Sequence, residues 1–361
     1  MSRIFNYISN NIINHVDNYE GSIKVHKFSN TLFRTHQSNT YNFQTQIGIH
    51  NNKIISLTNK QLSFLVQKYH HYLGDEYSSN LQQTYNYLIN TPINQLIYIN
   101  EPVFLFFDYE ACSGGHMYDL LFYLLYVYHK NKLTEKLLVI ETTNVYYNNL
   151  LNLIKKYFNI DYIFIKPDVS YSFSNFSCVR TYQNIFFNEV KEFINNYLIL
   201  PVIKNLENRQ EPFYKSIIKI KTYKNCILQS NDAFEENGHF EQFLIQNKIF
   251  DLNTINNDEE LKIYLINKCD NIIVTWGSTY CININYYLIN SNDKFISVIF
   301  HKNVNKNDYI TKNNTYYTQY IPLHVCGGIN DNYYNSFTFK GEVVDNLTNI
   351  NDFIVRTKLI L

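Results

Sequence analysis

The sequence predicts an α/β protein made of two consecutive units in which short apolar strands alternate with helices. Three observations carry this. From about residue 94 onward, apolar runs short enough for buried strands recur between stretches of helical periodicity. The alternation stops at a polar stretch, "KNLENRQEPFYK" at 204–215, and then starts again. The chain has 361 residues, 45% hydrophobic and 17% charged, which is enough apolar material for two cores of ordinary size.

In the first unit, "QLIYI" and "VFLFF" are strand-like, "HMYDLLFYLLYVYHK" has helical length and "KLLVIET" is a strand. "VYYNNLLNLIKKYF" sets Leu150, Leu151, Ile154 and Phe158 at helical spacing, and "DYIFI" follows as a strand. This order makes a parallel sheet with helices on its faces. A long helix, "NIFFNEVKEFINNYLILPVI", leads into the polar stretch. The second unit reads "SIIKIK" strand, "GHFEQFLIQN" helix, "IFDL" strand, "DEELKIYLINKC" helix, "NIIVTW" strand, "TYCININYYLI" helix and "KFISVIF" strand. Asp258 to Glu260 open their helix, where carboxylates favour the positive end of the dipole.

Two such units imply two facing Rossmann-like domains with an interdomain cleft. The expected boundaries are 1–203 for a first domain, with 1–92 as an irregular elaboration, 204–215 for a linker, and 216–361 for a second domain whose C-terminal tail could return to the first.

Formal charge is zero and the isoelectric point is near 7.1, which removes the electrostatic footprint of a duplex nucleic-acid or anionic-membrane binder. The six cysteines are scattered with no C-x-x-C pair, so they read as buried free thiols in a reducing compartment, here the cytoplasm. No apolar stretch approaches the roughly 18 residues of a membrane span, and the N-terminus has no apolar leader core. Neither a transmembrane segment nor a secretory signal is expected. The abundance of Asn, Ile, Lys and Tyr resembles the codon usage of an AT-rich genome, as in certain large DNA viruses and protists.

Chemistry concentrates at two turns. In "NIIVTWGSTYCININYYLI" a strand ends in a small-residue turn that opens a helix. Ligands of parallel sheets bind at such carboxyl ends. Gly277 permits close backbone approach, while Ser278 and Thr279 can cap the helix and leave N–H groups for an anion, most naturally a diphosphate. An ordinary turn with an N-cap serine fits the same residues.

The second turn is "DYEACSGGHMYD". Ser113-Gly114-Gly115 lets the backbone leave its strand sharply and start a helix. His116 and Asp119 lie three apart and share one face of its first turn. A carboxylate beside an imidazole fixes its tautomer and raises its basicity, as a base acting on a hydroxyl requires. The alternative is a capping aspartate beside a structural histidine. Asp108 and Glu110 could hold a divalent cation against a diphosphate, but acceptor contacts or surface ion pairs explain them as well. His70-His71 has no second ligand pair at metal spacing, His324 with Cys326 has no partnered base, and no metal site is expected.

The order of elements, the "D-x-IIV-x-x-G" stretch followed by small residues and Asn283, and the aromatic-His-x-x-Asp-like segment Gly115 to Asp119 together resemble glycosyltransferase family 61. That family has histidine where this chain has Trp276, and its asparagine lies one place earlier than Asn283. The resemblance covers roughly residues 100 to 300. It implies a GT-B architecture and an inverting hexosyl- or pentosyltransferase that uses a nucleotide-sugar donor, most often UDP-linked. It further implies metal-independent charge stabilisation, with a glycan or glycoprotein hydroxyl as acceptor. On this reading His116 and Asp119 are catalytic. Lys221, Gly277, Ser278, Thr279 and Asn283 bind the nucleotide, with Lys221 at the end of the first C-terminal strand. A catalytically inactive glycan-binding or structural relative is the alternative that Trp276 raises.

Overall fold

The computed structural model describes residues 25–37, 44–51, 53–54, 83–106, 116–179, 187–209, 224–228, 238–255, 258–275, 286–289, 294–301, 315–318, 335–338, 340–347, 352 and 355. They form an α/β structure with one mixed sheet and one parallel sheet.

The first sheet has the order β3-β2-β1-β8-β5-β6-β7. Its strands are β1 Val25–Gln37, β2 Gln44–His50, β3 Lys53–Ile54, β4 Ile97–Ile99, β5 Val103–Leu105, β6 Lys136–Ile140, β7 Tyr162–Ile165 and β8 Ser170–Val179. Strands β8, β5, β6 and β7 are parallel, with Val103 opposite both Phe176 and Lys136, and Leu137 opposite Tyr162. Short β4 lies parallel to the first half of β8. Strand β1 runs antiparallel to β8, with Leu32 opposite Ser172, and β2 continues the antiparallel edge.

Two helices cross over within the parallel part. Helix α1, His116–Lys130, joins β5 to β6, and α2, Val145–Phe158, joins β6 to β7. Tyr118, Leu121, Phe122 and Leu125 recur at helical spacing in α1 and are all buried. Each such side chain contributes roughly 1.5–3 kcal/mol of burial. Helix α2 starts where the Asn144 side chain accepts the Tyr147 N–H at 3.1 Å and ends on Asn159 at φ 52°.

After β8 the chain forms α3, Phe187–Ile194, one wide π turn at Asn195–Ile199, and α4, Leu200–Asn208. The wide turn precedes Pro201, which has no N–H to donate back into it. Lys204 to Asn208 of the expected linker are therefore helical, and α4 buries Val202 and Leu206.

The second sheet is wholly parallel, in the order β10-β9-β11-β12-β15. Its strands are β9 Asn225–Leu228, β10 Ile249–Asp251, β11 Asn271–Thr275, β12 Phe295–His301 and β15 Lys340–Leu347, with α5 Gly238–Gln246 and α6 Glu259–Lys268 between them. Strands β13, Thr315–Thr318, and β14, Asn335–Thr338, pair with each other as an antiparallel ladder. Gly341 lies so close to the Ile296 carbonyl that any side chain there would collide with it.

One hydrophobic cluster runs through both sheets and includes Phe104, Leu150, Leu206, Leu261, Ile272 and Val298. Helix α6 packs on α4 and α2 where the two halves meet. No helix among the described residues is long and apolar enough to cross a membrane. The described cysteines, Cys178, Cys226 and Cys269, are buried and form no disulfide among the described residues.

Candidate functional site

Each sheet has one place where successive strands depart in opposite directions across it, which is where open parallel sheets hold ligands. In the first sheet, β6 and β7 lie on one side of β5 and β8 on the other. In the second, β10 lies on one side of β9 and β11 on the other. Strand β5 leads, through 107–115, into the N-terminus of α1. Strand β11 leads, through 276–285, into the short segment 286–289.

Helix α1 and the 286–289 segment pack against each other. Tyr118 and Phe122, one turn apart on α1, face Tyr287 and Tyr286. The Tyr118 and Tyr287 ring centroids are 5.9 Å apart at 85°, and those of Phe122 and Tyr286 are 4.9 Å apart at 62°. Edge-to-face pairs of this kind add to the burial of their rings.

The second-sheet side of the contact is held by α6. Asn267 brackets the segment, its Nδ2 donating to the Tyr287 carbonyl at 2.7 Å and its Oδ1 accepting the Ile289 N–H at 3.1 Å. Lys294 Nζ donates to the carbonyls of Asn267 at 2.8 Å and Cys269 at 2.5 Å, placing a cation at the negative end of α6. From the first half, Asn195 Nδ2 donates to the Ile289 carbonyl at 3.5 Å.

Beneath the rings lies a buried polar network. The Tyr287 hydroxyl donates to Glu259 Oε2 at 2.8 Å, and Lys262 Nζ donates to Glu259 Oε1 at 2.9 Å. The Glu259 and Lys262 side chains are only 2% and 4% exposed. Lys262 Nζ also sits 5.6 Å from the centre of the Tyr146 ring. Burial, first, and the neighbouring Glu259 charge push the Tyr287 hydroxyl well above its ordinary pKa, so it stays a donor. The three carboxylates at the positive end of the α6 dipole have three separate roles. Asp258 caps α6 by accepting the Leu261 N–H at 2.9 Å, and Glu259 belongs to the buried network. Glu260 is a hub between the halves, accepting from Lys156 at 2.7 Å, Arg209 at 2.9 Å, Asn205 and Tyr157.

His116 and Asp119 are the first and fourth residues of α1; their side chains lie outside the described residues. So do Asp108, Glu110, Ser113 to Gly115, Lys221, Trp276, Gly277, Ser278, Thr279, Asn283, His70, His71 and His324 to Gly328. The first described strand of the second half is Asn225–Leu228, which the sequence reading passed over; the "SIIKIK" stretch lies outside the described residues. Among the described residues, no three His, Cys, Asp or Glu side chains gather as metal ligands.

A second polar group went unnoticed in the sequence. His36 Nδ1 lies 2.6 Å from Asp168 Oδ1, and Arg34 Nη1 donates to Ser170 Oγ at 3.1 Å. Its only sequence signal is the spacing of Arg34 and His36 two apart on one strand. The chain matches no family model and no curated protein.

Proposed function

We propose that the chain is an inverting glycosyltransferase of GT-B type that moves a sugar from a nucleotide donor, in the first instance a UDP-sugar, to a glycan or protein hydroxyl. One observation carries the reading: helix α1, which follows β5, and the 286–289 segment, which follows β11, pack together through Tyr118–Tyr287 and Phe122–Tyr286, and β5 and β11 both lie at the switch points of their sheets. A two-substrate transfer requires such convergence, with donor bound by one sheet and acceptor by the other.

On this reading the diphosphate is received by the backbone of Gly277, Ser278 and Thr279, with Asn283 and Lys221 as further contacts. His116, supported by Asp119, takes the proton of the acceptor hydroxyl as that oxygen attacks the anomeric carbon. The bond from that carbon to the diphosphate breaks, and the electron pair leaves with the nucleotide. Helix N–H groups and Lys221 supply the positive field, so chelation is expected to leave the reaction intact.

The test is nucleotide release from UDP-, GDP- and CMP-sugars, with and without EDTA. UDP release from a UDP-sugar that persists in EDTA is the expected result. Loss on chelation with recovery in Mn²⁺ would make Asp108 and Glu110 ligands instead. UDP binding without release from any donor would favour a catalytically inactive, glycan-binding chain, the reading that Trp276 supports.

A further inference from the structure

We propose that one face of the first sheet, formed by Arg34, His36, Asp168 and Ser172 and rimmed by Tyr87 and Tyr98, binds a neutral oligosaccharide. The alternation of β8 builds the face. Tyr171 and Phe173 point into the core, whereas Ser170 and Ser172 point to the other side. Arg34 stands opposite Ser170 on β1, and Tyr98 stands opposite Ser172 on β4, so these residues share that side.

The polar groups are mutually fixed yet leave capacity for a ligand. Asp168, at φ 63°, puts Oδ1 2.6 Å from His36 Nδ1 and 3.8 Å from Arg34 Nη2. His36 Nε2 has no hydrogen-bond partner among the described residues. The Tyr87 ring holds the Arg34 guanidinium at 4.9 Å.

Stability does not account for this arrangement. Asp168 is 51% exposed, so its ion pair with Arg34 contributes little. Tyr87 and Tyr98 are 58% and 56% exposed, although most large rings of the fold are buried. Exposed tyrosine rings offer an apolar platform with a polar tip. A carboxylate, a guanidinium, an imidazole nitrogen and a serine hydroxyl beside them can accept from and donate to successive sugar hydroxyls. Arg34 and Asp168 offset each other, so the face has no strong field for an ion.

The acceptor role of this face rests on the proposed transfer; the binding itself does not. The probes are cellohexaose, xylohexaose, maltohexaose and chitohexaose, followed by saturation-transfer NMR on the full chain. At least one is expected to bind, and Tyr98→Ala and Asp168→Asn are each expected to weaken it about tenfold or more. Both side chains are exposed, and an unchanged melting temperature shows that each variant folds. Absence of transfer from all four sugars, undiminished binding in both variants, or binding only of an anionic oligogalacturonate would overturn the proposal. UDP-induced stabilisation is read on the same samples. Sugar binding without it upholds this site while the nucleotide reading fails.

Discussion

Tyr118 of the first half and Tyr287 of the second meet edge to face, with both rings fully buried and their centroids 5.9 Å apart. The Tyr287 hydroxyl joins this contact to the buried Glu259–Lys262 pair. Packing between the two halves and a buried charge network are therefore one unit.

That unit makes a stability prediction. Lys262→Met leaves the Glu259 carboxylate buried without its cation and is expected to cost about 3–5 kcal/mol. Tyr287→Phe removes one donor from the same carboxylate and should cost about 1–3 kcal/mol. Adding Glu259→Gln to Lys262→Met should recover much of the loss, because no buried charge is then left alone. Urea unfolding of the four proteins measures this, and equal stability of Lys262→Met and the parent would refute the network.

A second prediction concerns pH. Burial pushes the Glu260 carboxyl up, but hydrogen bonds from Lys156 and Tyr157 and the charges of Lys156 and Arg209 together hold it below its ordinary value of 4.5. The folded-state pKa is depressed, so the stabilisation is fully present above about pH 4.5 and is lost as pH falls through the folded value. Glu135, held low by Lys27 against the effect of its burial, acts in the same direction. Glu260→Gln should flatten the acid limb of stability against pH without altering its shape above neutrality. An acid limb as steep as the parent's would contradict the assignment.

These residues show what the sequence could and could not reveal. Helices α1 and α2 and strands β6, β7, β11 and β12 were legible because their apolar residues follow helical spacing or form short unbroken runs. Strand β1 was not, and 1–92 read as irregular. The core-facing residues of β1 are Thr31, Phe33 and Thr35, and threonine on a buried face hides the apolar alternation. Strand β9 is short and follows a polar stretch, so nothing marks it locally. The two turns at 113–119 and 276–283 stand out through their small residues, but the contact between the elements that follow them is made by Tyr118, Phe122, Tyr286 and Tyr287. Tyrosine and phenylalanine are so common in this chain, 33 and 26 residues, that these four carry no signal of their own. Glu259 and Lys262 look like any surface i, i+3 pair until α6 is packed against the first half.

The catalytic assignment makes a third prediction. His116→Ala should lower turnover by roughly two to four orders of magnitude, the usual contribution of a general base, with UDP affinity nearly unchanged. Asp119→Asn should cost less if the carboxylate only orients the imidazole. Turnover and melting temperature on the same preparations separate this from a structural histidine, whose loss would lower both together.

The most direct test of the central claim, that the turn after β11 receives the nucleotide of a transfer site shared by both halves, is the shift in melting temperature on adding UDP to the parent and to Gly277→Val. A ligand that binds only the folded state raises its stability. The account predicts a clear upward shift in the parent and none in Gly277→Val, with both proteins melting cooperatively in the absence of UDP. An equal shift in both, or no shift in the parent with UDP or any UDP-sugar, would contradict it.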